Sequence, residues 1–162
     1  MGSPQRIRRG VDSSCGPRDA GGMSDNAMAD SPAASKPPLA IAVHADAYSR
    51  VHYALVLAAT AAAMGRRATL FFAGTAVRAL LPDGWRELPG AEEDDDRQEA
   101  GTVGFEELRD ACRDLGVQVI ACEADLRISR VPAARLDPVW GASVAGAASF
   151  LAAGDRGQLL FI

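Results

Sequence analysis

Four short apolar runs constrain this chain more than any other feature: PLAIAV at 38–43, RATLFFAG at 67–74, VQVIAC at 117–122 and QLLFI at 158–162. Each is rich in branched or aromatic side chains, too short for an independent helix, and flanked by turn residues, so each reads as a buried strand. The segments between them carry helical spacing. After Ser49, the residues Val51, Ala54, Leu55, Ala58 and Ala62 form one stripe that Gly65 ends. Gly74-Thr75 leads into a short helical AVRALL, stopped by Pro82-Asp83-Gly84. Phe105, Leu108, Cys112 and Leu115 share a face, with Glu106 and Glu107 at the positive end and Gly116 as the stop. Asp137 as N-cap and Pro138 at the first helical position open a long helix through VWGASVAGAASFLAAG, with Gly141, Ala145 and Ala148 on one close-packing face. Strands alternating with helices predict a three-layer α/β/α sandwich around a mostly parallel sheet of four or five strands, the fifth, if present, falling within 85–103.

At 162 residues the chain is one domain long, and 48% hydrophobic content suffices for a core. Residues 1–36 are dominated by Gly, Ser, Pro, Asp and Arg and read as a disordered tail with neither a secretory signal nor a membrane span. The folded part is therefore 37–162. Within it, about 82–103 reads as a long exposed acidic loop whose run 92–96 is a solvated insertion rather than a partner-binding patch.

From residue 37 onward, twelve basic side chains face seventeen acidic ones, a field that disfavours a nucleic-acid partner. Lys36 is the only lysine, which excludes a phosphate-loop lysine or Schiff base in the body. His44 and His52 have no HExxH or cysteine pair beside them, so neither a metal site nor a cofactor is expected. Cys15, Cys112 and Cys122 make no CxxC, and the absence of an export signal points to the reducing cytoplasm.

In open parallel sheets, small ligands bind outside the carboxyl ends of the strands. Those ends carry His44-Ala45-Asp46, Gly74-Thr75 and Cys122-Glu123. Cys122 sits where a strand becomes a helix, and a thiol facing a helix N-terminus meets unpaired N–H groups that favour thiolate. Glu123 and Asp125 oppose that ionisation. Buried cysteine is also a common small core filler, the reading that helical step gives Cys112. His44 is either an acid–base group or a solvated loop residue, His52 packs or faces water, and Arg127 either holds an anion or solvates its helix.

The order AIAVHADAYSRVHYALVLAATAAAMGRRATLFFAG, then LGVQVIACEADL, then GQLLFI resembles the DsrE/DsrF-like family over about residues 39–162. The resemblance implies a three-layer domain assembled as a homotrimer or hexamer, and a sulfur-relay role in which Cys122 carries persulfide to a partner protein. On that reading Glu123 and the following N–H groups shape the site; His44, Gly74, Thr75 and Arg127 are the rim residues that the sequence itself offers for holding a ligand or anion beside it. The peroxidase pattern Pro-x-x-x-Thr/Ser-x-x-Cys is absent before Cys122, so peroxide reduction is not expected. A non-catalytic small-ligand module and a structural oligomer of the same fold are the alternatives.

Overall fold

The computed structural model describes residues 36–162; the expected tail, except Lys36, lies outside the described residues. Five strands form one all-parallel sheet in the order β4-β3-β2-β1-β5: β1 Leu39–Val43, β2 Ala68–Phe72, β3 Gln118–Cys122, β4 Ser143–Ala145 and β5 Gln158–Phe161. The four apolar runs are strands as expected. The fifth is β4, not a segment of 85–103.

Strand alternation sorts the side chains onto two faces. Leu39, Ile41, Val43, Leu70, Phe72, Val119 and Ala121 join the main core with helices α1, Tyr48–Ala63, and α3, Phe105–Asp114. Ala42, Phe71, Ile120 and Cys122 point the other way and form a smaller cluster under Phe150 of α5, Ala147–Ala153. Phe71 and Phe150 stack with centroids 5.3 Å apart. The layer assignment follows from chirality. Strands β1 to β4 step in one direction, whereas β5 returns past β1, so a right-handed final crossover must carry α5 over the opposite face.

The main core is unusually aromatic at one end. Phe105 is fully buried, stacks on Trp85 at 4.9 Å and meets Trp140 edge-on at 6.0 Å, while Tyr48 packs beside Trp85 and Phe105. Such pairs add ~0.5–1.5 kcal/mol each beyond the apolar area they remove from water.

Three expectations are corrected. The stretch 82–103 is not a long exposed loop: Gly84–Glu87 forms a 3₁₀ turn that buries Trp85, and Glu93–Glu99 forms helix α2. Asp94 turns inward from that acidic run. It is 4% exposed and accepts hydrogen bonds from the Tyr48 hydroxyl, the Phe105 N–H at 2.7 Å and the Gln98 amide at 2.7 Å. The expected long helix after Asp137 is broken into a 3₁₀ turn Pro138–Trp140, strand β4 and helix α5. Asp137 does cap its turn, accepting from the Val139 N–H at 3.0 Å, but Gly141 takes φ 55° and ends the helical path after one turn. Gly141, Ala145 and Ala148 therefore share no helix face. Leu115 lies just past the end of α3 and is exposed, while Phe105, Leu108 and Cys112 are buried as expected. AVRALL is helical in the tighter 3₁₀ form, Gly74–Leu80. No helix among the described residues is long and apolar enough to cross a membrane.

Candidate thiol site at the carboxyl rim of the sheet

Cys122 ends β3 and is the N-cap of α4, Glu123–Ile128, with extended dihedrals of φ −65° and ψ 117°. The junction arises because β-branched Val119 and Ile120 give way to Glu123, Ala124 and Leu126, which favour helix. The residue is 8% exposed. One side of it meets the hydrocarbon of Ala42, Phe71, Ile120 and Phe150, and the other meets the first turn of α4.

The electrostatics of that turn have two opposing parts. Burial pushes the Cys122 thiol above its ordinary value, and the Asp125 carboxylate, which takes the S–H as a donor, adds to the rise. The Asp125 and Ala124 amides act the other way but do not outweigh these effects, to which the negative charge of Asp125 adds. No first-turn N–H reaches the sulfur with full hydrogen-bond geometry. The resting group is therefore a thiol at neutral pH.

Asp125 is the centre of the arrangement. One oxygen accepts the Gly74 N–H at 2.8 Å, which ties the start of α4 to the end of β2. The Cys122 thiol, this N–H and, at longer range, His44 hold its carboxyl below the usual carboxylate value against the opposing effect of burial. Gly74 has φ 55°, and a Cβ built on it would lie 2.9 Å from His44 Nε2. Glycine is required there twice, once for the backbone and once for the imidazole. His44 is exposed and stacks on Phe161 at 5.6 Å, at the crevice between β1 and β5 where the strand order reverses. The crevice floor is closed by backbone: the His44 and Ala45 N–H groups donate to the Ile162 carbonyl at 2.8 and 3.3 Å.

The structure thus brings His44, Gly74 and Cys122 together through Asp125. Thr75 is exposed next to them without a side-chain hydrogen bond among the described residues. Glu123 and Arg127 pair with each other at 2.6 Å on the exposed face of α4, so Arg127 is engaged by its own helix. His52 is buried, with Nε2 3.0 Å from the Val103 carbonyl, and belongs to the core. Cys112 is 1% exposed, 3.6 Å from the Leu55 carbonyl, and burial pushes its thiol up to about 12.

The sequence marks Asp125 only as a charge that opposes ionisation of Cys122, and Phe161 not at all. The signal for Asp125 was its spacing, three residues after an N-cap, where a first-turn side chain returns toward the cap. Phe161 had no such mark, because its role comes from strand order. Among the described residues no group of three or more His, Cys, Asp or Glu side chains is arranged to hold a metal ion. No family model matches the chain, and no curated protein is significantly similar to it.

Proposed function

We propose that the protein is a sulfur carrier, with Cys122 accepting sulfane sulfur as a persulfide and passing it to a partner thiol. The observation that supports this is the placement of one thiol at the carboxyl rim, against a helix N-terminus, with the Asp125 carboxylate beside it and the His44 imidazole close enough to act on that carboxylate. In the loading step Cys122 loses its proton, its sulfur attacks the outer sulfur of a donor persulfide, and the donor's S–S bond breaks. The donor leaves as a thiolate and takes up the proton; the new S–S bond lies on Cys122. Unloading repeats the exchange with an acceptor thiolate attacking the outer sulfur. Asp125 keeps the thiol protonated at rest, which guards it from indiscriminate exchange. No cofactor enters either step.

The same reading includes a cytoplasmic protein assembled as a homotrimer or hexamer. Support for assembly comes from the exposed apolar side chains Leu151, Leu159, Leu160 and Phe161 around the open β5 edge and α5. The elevated thiol favours a second reading, a small-ligand module in which the rim binds without covalent chemistry. Intact-mass measurement after treatment with a low-molecular-weight persulfide donor separates the two. One added sulfur atom on the wild type, absent from Cys122→Ser, is the result expected of a carrier. Equal labelling of both proteins, or labelling of neither, would end that proposal.

A further inference from the structure

The opposite end of the sheet carries a second feature, independent of the thiol. Around the amino ends of β1, β2 and β5 lie two adjoining hollows of roughly 460 and 390 Å³, both walled by Lys36, Pro37 and Arg156. Arg66 and Gln158 line the first, Arg67 and Asp155 the second. Four cationic side chains therefore share this place with one carboxylate in a chain whose net charge is −4.

Among the described residues the cations are largely uncompensated. Arg66 donates from Nε to the Pro37 carbonyl at 2.8 Å and from Nη2 to the Pro38 carbonyl at 3.2 Å and Gln158 Oε1 at 2.8 Å. None of these acceptors is charged, and Nη1 has no partner among the described residues. Lys36 donates to the Met64 carbonyl at the C-terminal end of α1 at 2.5 Å, again without a carboxylate. Arg67 makes no ion pair or side-chain hydrogen bond among the described residues. Among the described residues only Arg156 has a carboxylate partner, Asp155 at 3.9 Å, and both are highly exposed, where such pairs contribute little. The floor is preformed. Gln158 N–H donates to the Pro38 carbonyl at 2.9 Å, and a Cβ on Gly157 would lie 2.2 Å from that oxygen, so the two segments touch through bare backbone. Arg66 is thereby fixed, with donors remaining for an anion.

We infer that this basic hollow binds a small polyanion carrying two or more phosphate groups. Guanidinium N–H groups match phosphate oxygens in geometry as well as charge. Each hollow has the size of a small-molecule site. Cations divided between two joined hollows fit two anionic groups on a compact scaffold better than one.

The test is titration of the full chain with inorganic pyrophosphate at low salt, followed by amide NMR shifts and by calorimetry. Saturable binding at or below about 1 mM is expected, with shifts centred on residues 36–38, 66–67 and 156–158. The double variant Arg67→Gln/Arg156→Gln, which alters two exposed side chains, should weaken binding at least about tenfold, whereas Arg113→Gln on α3 should leave it unchanged. Absence of saturation, shifts scattered over every cationic side chain, or equal weakening by Arg113→Gln would overturn the site. Binding of an acidic peptide without pyrophosphate binding would also overturn it, in favour of a protein-docking surface.

Discussion

Asp94→Ala removes the one carboxylate that links α2 to the aromatic end of the core, and its cost can be worked from the donors it leaves. Two of them, the Tyr48 hydroxyl and the Phe105 N–H, lie on residues with no exposed surface, so water cannot replace the lost oxygen without opening the core. An orphaned buried donor costs about 1–3 kcal/mol, which makes about 3–4 kcal/mol the expected loss; the partly buried Gln98 amide finds solvent. Asp94→Asn keeps an acceptor but loses charge assistance, and should cost about 1 kcal/mol. The two variants also differ in pH dependence. Burial raises the Asp94 pKa, but the hydrogen bonds from Tyr48, Phe105 and Gln98, with nearby His52, outweigh it and leave the carboxyl below its ordinary value. A depressed folded-state pKa stabilises above the unfolded value and loses that stability as pH falls through the folded value. The wild-type advantage over Asp94→Asn should therefore be full at pH 7 and shrink once the pH drops below about 4. Urea unfolding followed by Trp85 and Trp140 fluorescence and by far-UV circular dichroism measures both effects. An Asp94→Ala loss under about 0.5 kcal/mol, or a gap to Asp94→Asn that stays constant down to about pH 3, would refute the reasoning.

Two other substitutions probe the frame and the rim. Phe105→Ala, which empties a fully buried site between Trp85 and Trp140, should cost about 3–5 kcal/mol in the same unfolding assay. Gly74→Ala should cost about 1–2 kcal/mol from its positive φ and push the His44 ring off Phe161, visible as changed His44 and Phe161 NMR shifts with the rest of the spectrum preserved.

The parallel sheet was legible because Leu39–Val43, Ala68–Phe72 and Gln118–Cys122 are compact apolar runs whose flanking turns admit no other reading. Strand β4 was hidden. Ser143–Ala145 sits inside an Ala- and Gly-rich stretch where small residues give helix and strand nearly the same pattern, and its identity depends on pairing with β3. Helix α2 escaped notice because its buried residue is an aspartate: a helix held by one inward carboxylate has no apolar stripe to display. At the rim, the position of Cys122 at a strand-to-helix junction followed from local pattern, but the balance between burial, Asp125 and the backbone amides did not. That balance depends on the distance from α4 to Gly74, which only the packed chain defines.

The proton on Cys122 is the point on which the thiol site turns, and the pH dependence of its alkylation measures it directly. In the wild type the rate should be slow at neutral pH and rise through the alkaline range, since burial and Asp125 both hold the proton on sulfur. Asp125→Asn, which removes the charge, should move the profile to lower pH and speed the reaction at pH 7, with Cys112 unlabelled in both proteins while they remain folded. A profile unchanged by Asp125→Asn, or a Cys122 that stays unreactive at every pH where the chain is folded, would contradict a carboxylate-controlled thiol at this rim.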